Sequence, residues 1–490
     1  MLFNSYIFLF LFLPITFFVY FYLNHKRLTI ASKGFLVFSS LFFYSWWNIS
    51  YLPIILSSML FNYIIGNTLN QRESHDKFSK KTILVFGIVV NLTLLTYFKY
   101  TDFMIENFNF LSDNNIPTLD LVLPLAISFF TFQQISYLVD SYKQETKEYN
   151  LLNYALFVTF FPQLIAGPIV HHKEMMPQFA KSKNKIINYS NIAAGLFIFS
   201  IGLFKKVVIA DTFAVWANKG FDVATTLNFF EAWATSLSYT FQLYFDFSAY
   251  TDMAIGLALL FNIKLPVNFN SPYKAKDIQD FWRRWHITLS RFLKDYVYIP
   301  LGGNKKGKFR TYNNLLATFI IGGIWHGAGW TFVFWGFLHG IALVIHRVWS
   351  NLGFKMWTWL AWLITFNFVN IAWVFFRAKE WEDAIKVLDG MFNLDNIGFS
   401  QQFAHFINYL NPFSEYFTFN YIKYQPFTSI HTFQMILVGF FIVIFMKNSI
   451  TMMNDFKYKF YQIIFIVASI WTFHFISITN IESQFLYFNF

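Results

Sequence analysis

Long apolar runs recur along almost the whole chain, and they limit its fold more than any other feature. A helix needs about 20 apolar residues to cross a bilayer, and runs near that length lie at 2–23, 34–47, 51–69, 82–99, 125–140, 151–169, 191–210, 229–261, 331–349, 356–376, 432–447 and 460–478. Only 13% of the 490 residues are charged, and one soluble core could not hide so much apolar surface. The sequence therefore predicts an all-α integral membrane protein of about 11–13 transmembrane or re-entrant helices. No repeat or linker divides it, so we expect a single domain over 1–490.

Charged residues between the early runs predict how the chain is oriented. Basic residues follow the first and third runs, at Lys26, Arg27, Lys33, Arg72, Lys77, Lys80 and Lys81. Acidic residues follow the fourth run, at Asp102, Glu106, Asp113 and Asp120. Because basic loops stay in the cytoplasm, we expect a multi-pass protein with its N-terminus outside. The net charge of +11 then reflects topology and contact with membrane lipids, and it does not indicate nucleic-acid binding.

The middle runs contain groups that are costly at membrane depth. These are Gly167, Pro168, Lys205, Lys206, Asp246 and Asp252. Such groups normally face protein or a wet cavity, so we expect several of these segments to be short, broken or re-entrant. The alternative for the two lysines is that they only cap a helix at the cytoplasmic face.

The segment from Asn268 to Trp330 stands out from the rest of the chain. Residues 274–310 hold ten Lys or Arg against three Asp. Each half of the segment also places one histidine beside tryptophan, in FWRRWHITLS (281–290) and in WHGAGW (325–330). We interpret these two histidines, His286 and His326, as the marks of an acyl-transfer site.

Residues 277–292 are predicted to form one amphipathic helix, with His286 on its apolar face and Asp280 four residues before Arg284. Such a helix could lie at the membrane interface and bind anionic lipid. Alternatively, it could meet a phosphate-rich donor such as a coenzyme A thioester, because arginine donates to phosphate bidentately. The residues expected to contact that donor are Trp282, Arg283, Arg284 and Arg291.

His326 carries the sharper signal, because it lies in an apolar run among glycines. A histidine inside a membrane needs a partner and is by default a functional candidate, and a neutral imidazole can act as a general base. The alternative is a histidine that only forms a hydrogen bond between helices. We interpret His339 as structural. No set of histidines and carboxylates has metal-ligand spacing, so no metal is expected.

Several stretches together resemble one known family. FWRRWHITLS and WHGAGW are joined by ISFFTFQQISYLVD (127–140), FPQLIAGPI (161–169), YFDFSAYTDMAIG (244–256), VNFNSPY (267–273) and WVFFRA (373–378). In this order they resemble the membrane-bound O-acyltransferase (MBOAT) family, over core motifs within 125–380. The nearest resemblance is to its bacterial branch, which O-acetylates alginate and other polysaccharides.

The resemblance implies helices around a central tunnel that leads from a cytosolic acyl donor, acetyl-CoA, toward an external polysaccharide. It implies that His326 is the principal catalytic histidine and His286 the second. It also implies a bacterial cytoplasmic (inner) membrane location and an extracytoplasmic SGNH-type acetyltransferase as partner.

The end of the chain, FLYFNF (485–490), resembles the FxYxxF acyl-transfer motif of this branch, in which Tyr487 would take the acyl group and pass it on. The chain has no cysteine, and a phenol can serve as nucleophile when a histidine takes its proton. Alone, an aromatic tail would more often be an interfacial anchor.

Other functions stay open at this level. A related enzyme could transfer D-alanine to teichoic acid, or acylate a lipid or a protein. A polysaccharide or lipid transporter would show polar groups in both halves of a repeated fold, and the motifs here cluster in one segment. The sequence does not identify the polysaccharide, the oligomeric state, or the basic residues that contact coenzyme A.

Overall fold

The computed structural model describes residues 1–71, 79–146, 150–397 and 428–456, together with 462, 463, 465, 467, 469, 471, 472, 485 and 486. These residues form α-helices, short π-helical and 3₁₀ turns and loops, and no β-strand occurs among them. The all-α class predicted from the sequence is confirmed. Six of the described helical stretches are long and apolar enough to cross a membrane: Phe8–His25, Ile49–Gln71, Lys80–Ser112, Tyr189–Val223, Trp330–Asn351 and Thr358–Arg377.

The helices follow the apolar runs closely, with breaks where the middle runs carry polar residues. The first are α1 (Leu13–His25), α2 (Thr29–Ser45), α3 (Leu52–Gln71), α4 (Lys80–Ser112), α5 (Ile127–Tyr142), α6 (Leu151–Thr159), α7 (Phe161–Leu164), α8 (His172–Ala180), α9 (Tyr189–Phe204) and α10 (Asp211–Asn218). The others are α11 (Phe229–Leu260), α12 (Ile278–Arg284), α13 (Ile287–Leu293), α14 (Lys308–His326), α15 (Trp330–Asn351), α16 (Thr358–Arg377), α17 (Trp381–Phe392), α18 (Ile430–Phe445) and α19 (Ser449–Asn454).

α11 is the central helix of the fold. Every residue from Ser238 to Leu260 is buried, so the helix is enclosed on all sides and does not face lipid. Most of its residues are apolar on every face, as such a position requires. Its polar residues must therefore find partners inside the protein.

Two buried ion pairs supply those partners. Between α9 and α10, residues 205–210 form a π-helical turn. Lys205 Nζ lies 2.8 Å from Asp252 Oδ2, and Lys206 Nζ lies 2.7 Å from Asp246 Oδ1. Lys206 also donates to Asp211 (2.8 Å). The prediction that these groups face protein is confirmed, and the two lysines do more than cap a helix.

α14 and α15 form a tightly packed hairpin around the WHGAGW turn. A Cβ added to Gly323 would lie 2.3 Å from the carbonyl oxygen of Phe332, and one added to Gly336 would lie 2.3 Å from that of Phe319. No side chain larger than hydrogen fits at these two positions. The close approach of small residues fixes the end of α14, and with it His326.

Candidate active site

His286 lies at a break between two short helices. α12 ends at Arg284 and α13 begins at Ile287, and the backbone of His286 between them is left-handed, with φ of 43°. The backbone N–H of Ile287 donates to the carbonyl of Asn268 at 2.9 Å, and this bond takes the place of the helical one. The prediction of one helix over 277–292 is therefore wrong, because pairing with a distant segment competes with the helix.

This broken segment is buried inside the protein. Trp285 lies among aromatic rings, with centroid distances of 5.0 Å to Phe269, 5.7 Å to Phe281 and 4.9 Å to Trp373. The described side chains of 278, 281, 282, 285, 286, 288 and 289 are all buried. The alternative of an anchor lying at the membrane interface does not fit this burial.

The hydrogen bonds around His286 define which ring nitrogen holds its proton. Its Nδ1 lies 3.1 Å from Asn268 Oδ1. The same Oδ1 accepts from the backbone N–H of Thr288 (3.2 Å) and from its hydroxyl (2.9 Å), so this atom is an oxygen that can only accept. Nδ1 therefore carries the proton, and in the neutral ring Nε2 carries the lone pair.

His326 is the last residue of α14 and is buried among aromatic rings. Ring centroids lie 5.1 Å away at Trp335 and 5.0 Å away at Phe376. The ring of Trp325 lies 4.8 Å from that of His326 and 6.4 Å from that of His286. One tryptophan thus contacts both histidines, and the structure brings the two predicted site residues together.

A third histidine closes the same aromatic cluster. His339 on α15 is fully buried, and its ring lies 4.9 Å from that of Trp335. Its Nδ1 accepts from the indole N–H of Trp282 at 3.2 Å. Indole can only donate, so the proton of neutral His339 is on Nε2, the opposite assignment to that of His286. Trp282 is buried and its N–H is used inside the protein, which does not favour a contact with an incoming donor.

The three predicted arginines have different environments. Arg291 forms a two-pronged pair with Glu174, at 2.6 Å and 3.0 Å. Arg284 pairs with Asp280 at 2.8 Å, which confirms the predicted contact across one helical turn. Arg283 is exposed, and no described residue pairs with it.

A cavity of about 700 Å³ lies next to the end of α14, which carries His326. Gly327 and Ala328, the two residues after His326, line its wall, as does Phe376, which contacts the His326 ring. Charged residues of both signs also line it: Lys99, Lys206, Arg377, Lys379, Asp102, Asp211 and Asp222. A cavity of this size and polarity can admit a polar substrate. In the part of the chain that the structure describes, no three His, Cys, Asp or Glu groups could hold a metal ion.

Sequence reasoning missed the contribution of α4 to this site. Lys99 lines the cavity, and its Nζ donates to the carbonyls of Trp325 (2.6 Å) and His326 (3.0 Å). The available signal was a lysine at the end of an apolar run, since a cation at membrane depth marks a functional candidate.

The end of the chain reaches the same cavity. Leu486 lines it, and the backbone N–H of Leu486 donates to Asp246 Oδ2 at 2.9 Å. The ring of Phe485 lies 4.9 Å from Lys206 Nζ and 5.0 Å from the ring of Tyr250. Tyr487, the predicted acyl acceptor, lies outside the described residues.

Comparison with known proteins identifies the class. The family model described as MBOAT, membrane-bound O-acyltransferase family, matches residues 41–379, which is more than half of the chain and includes both histidines. The chain belongs to the membrane-bound O-acyltransferase family and is a multi-pass membrane protein.

Individual relatives show which activities occur among proteins similar to this chain. The chain is 52% identical over 482 residues to the peptidoglycan O-acetyltransferase of Helicobacter pylori, an alignment that covers 92% of this chain and 90% of that one. It is 40% identical over 399 residues to the probable alginate O-acetylase AlgI of Pseudomonas aeruginosa, covering 80% and 75% of the two chains. The teichoic acid D-alanyltransferase of Bacillus subtilis is more distant, at 27% identity over 280 residues and 54% of this chain.

Proposed function

We propose that the protein is an O-acetyltransferase that moves acetyl groups from cytosolic acetyl-CoA through the membrane to an extracytoplasmic polysaccharide. One observation carries the proposal: Leu486, the residue before Tyr487, lines the same cavity as Gly327, the residue after His326. The chain neighbours of the proposed base and of the proposed phenol therefore line one cavity, which supports a transfer between the two.

The proposed first step places the acetyl group on Tyr487. The imidazole of His326 takes the phenolic proton as the phenol oxygen attacks the carbonyl carbon of acetyl-CoA. The carbon–sulfur bond breaks, and coenzyme A leaves as a thiolate that regains the proton from the imidazolium. His286, whose Nε2 carries the lone pair, assists as the second histidine. The product is an acetyl ester on Tyr487.

In the proposed second step, the acetyl group passes from the membrane protein to a partner. A hydroxyl of an extracytoplasmic partner, of the SGNH type, attacks the ester of Tyr487, which regains its phenol, and the acetyl group then passes to the polysaccharide. The charged donor and the glycan stay on opposite sides of the bilayer, and only the small acyl group crosses.

The contacts of the tail support this role for its end. The bond from Leu486 to Asp246 uses a backbone N–H, and Lys206 neutralises the same carboxylate from its other side. The tail is therefore tied to the central helix α11 by a carboxylate acceptor, and hydrogen bonds to carboxylates belong to the stronger class. An anchor that only lay in the interface would not need such a partner.

The relatives favour acetyl over D-alanyl transfer and favour peptidoglycan as the acceptor. The peptidoglycan O-acetyltransferase aligns over 92% of this chain, whereas the D-alanyltransferase aligns over 54%. Arg283, exposed at the end of α12, is our candidate for contact with the phosphates of coenzyme A, because guanidinium suits phosphate.

The purified full-length protein in lipid nanodiscs tests the proposal when mixed with acetyl-CoA. Released thiol reports coenzyme A directly, because the chain has no cysteine of its own. We expect a burst of about one thiol per chain, set by one acceptor phenol per chain, and the mass of one acetyl group on the C-terminal peptide.

Three variants define the outcome. Both signals should disappear in His326→Ala and in Tyr487→Phe. They should persist in Asn489→Ala, which changes a variable position of the FxYxxF motif. If thiol release increased on addition of glycan while the tail stayed unmodified, the relay through Tyr487 would be contradicted. Direct transfer from acetyl-CoA to the glycan would then be the remaining mechanism.

A further inference from the structure

The helix that carries His326 ends in an unusual way. The last turn of any α-helix leaves carbonyls without helical partners, and a left-handed glycine often supplies the missing bonds. Here the residue after His326 is Gly327, but its backbone is extended, with φ of −160°. The usual glycine cap is therefore not formed at this end.

Side chains of α4 supply the bonds instead. The Nζ of Lys99 lies 2.6 Å from the carbonyl oxygen of Trp325 and 3.0 Å from that of His326. The hydroxyl of Tyr100 lies 2.6 Å from the carbonyl oxygen of Ile324. Two consecutive residues of α4 thus satisfy the last three carbonyls of α14, in a region where an unpaired carbonyl is costly.

α4 also holds the turn that follows. Asn107 Oδ1 accepts from the indole N–H of Trp330 at 2.8 Å, and the ring of Phe103 lies 5.8 Å from that of Trp330. Residues 99, 103 and 107 are spaced by four and share one helical face. This face therefore contacts both ends of the WHGAGW motif.

The bonds of Lys99 indicate what its amine does. An ammonium has three protons, and its described acceptors are two carbonyls of α14 and the hydroxyl of Ser128 at 3.5 Å. The two short bonds go to carbonyls of α14, so the amine is held against the end of this helix. Its positive charge lies at a helix C-terminus, where a cation is favourable.

We infer that Lys99 is a positioning residue for acyl transfer: it caps the catalytic helix and thereby fixes the position of His326 beside the cavity. This inference rests on the proposed function of His326. A displacement of a catalytic group by about 1 Å can lower a rate roughly 100-fold. Loss of the cap should act on the chemical step and should leave donor binding unchanged.

The test uses the full-length protein in nanodiscs and the thiol burst with acetyl-CoA, measured at several donor concentrations. Lys99→Met keeps the length of the side chain and removes its charge and donors. We expect its burst rate at saturating donor to fall about 100-fold, with the half-saturating acetyl-CoA concentration unchanged. Lys99→Arg, which retains donors and charge, should recover at least about a tenth of the wild-type rate.

A control on the same helix separates positioning from general damage. Asn91 is buried two turns before Lys99 and exchanges amide hydrogen bonds with Asn62 of α3 (2.7 Å and 3.0 Å). Asn91→Leu disturbs α4 without changing the end of α14, and the burst rate per folded protein should stay within about threefold of wild type.

The outcomes distinguish this inference from the function on which it rests. A wild-type protein that releases no thiol would overturn the proposed function. A wild-type burst that Lys99→Met shares unchanged would overturn the role of Lys99 alone. An equal loss in Lys99→Met and Asn91→Leu would also overturn it, because general destabilisation would then explain both.

Discussion

The tail contact at Asp246 yields a prediction that does not depend on the chemistry. Asp246 Oδ2 accepts the backbone N–H of Leu486, and Asp246 Oδ1 accepts from Lys206. The substitution Asp246→Asn keeps the shape of the side chain and an oxygen acceptor but removes the charge. Asparagine has one oxygen for the two donors, so when that oxygen accepts from Leu486 its NH2 group faces Lys206, which still pairs with Asp211. In that orientation the hydrogen bond to the tail changes from one with a charged acceptor to one with a neutral acceptor.

The difference in strength between these two hydrogen bonds sets how much docking free energy the tail should lose. A hydrogen bond to a charged group contributes about 1.5–3 kcal/mol, and one between neutral groups about 0.5–1.5 kcal/mol. The docked tail should lose about 1–1.5 kcal/mol, so the population of undocked tails should increase roughly 5- to 13-fold. The contact between Phe485 and Lys206 remains in the variant, so the tail should still dock.

Digestion with a carboxypeptidase measures this population. The enzyme can remove Leu486 and Phe485 only from a tail that has left its site, and the rate of this removal follows the open population when docking is fast compared with cleavage. The intact mass of the protein in nanodiscs reports how much tail has been removed at each time. We expect trimming of Asp246→Asn to be about 5- to 13-fold faster than that of wild type.

The chain offers a matched control in the neighbouring pair. Asp252 pairs with Lys205 at 2.8 Å on the same helix and is also buried, but its described hydrogen bond is with the lysine and not with the tail. Asp252→Asn should lower thermal stability to a similar extent and leave trimming unchanged. Equal trimming in both variants, or trimming of Asp246→Asn at the wild-type rate, would refute the reasoning.

The remaining predictions test the site, the packing and the orientation. Asn268→Leu removes the acceptor that fixes the second histidine and should slow the thiol burst about 100-fold with donor affinity unchanged; a burst at the wild-type rate would contradict the assigned tautomer. Gly336→Ala should lower thermal stability by at least about 3 kcal/mol because its Cβ would overlap backbone. Gly34→Ala, which meets nothing within 4 Å, is its control and should not destabilise in a thermal melt. In the cysteine-free chain, Asn114→Cys should react with an impermeant maleimide on intact cells, and Lys81→Cys only after permeabilisation; the reverse would invert the proposed orientation.

The sequence predicts much of this fold because its signals are local. Apolar runs mark the helices, and the polar residues within the middle runs predict correctly that Lys205 and Lys206 face protein. The two histidines beside tryptophan are also a local pattern, and the structure places them against one ring, that of Trp325.

The break at His286 could not be predicted in the same way. Residues 277–292 have a sound helical pattern, with the contact between Asp280 and Arg284 that such a helix should have. The helix ends early because backbone groups pair with Asn268, well before it in the chain. A pairing of that kind depends on tertiary structure, which no periodicity within the segment reports.

The role of α4 was missed for a related reason. The sequence shows that Lys99 is polar at the end of an apolar run, but it does not show which of many helices this lysine meets. Its two carbonyl acceptors are more than 220 residues away, at Trp325 and His326. The charged lining of the cavity is likewise drawn from widely separated segments.

These features share a cause, because the site is built from the ends of helices. His326 ends α14, His286 lies at a break, and Leu486 is near the end of the chain. The middle of a helix satisfies its own backbone groups, whereas an end leaves N–H and C=O groups that water cannot reach inside a membrane protein. Lys99, Asn268 and Asp246 each bind such a group. Of these three, Lys99 also lines the cavity, so a polar side chain that completes the backbone also supplies part of the charged lining inside an apolar protein.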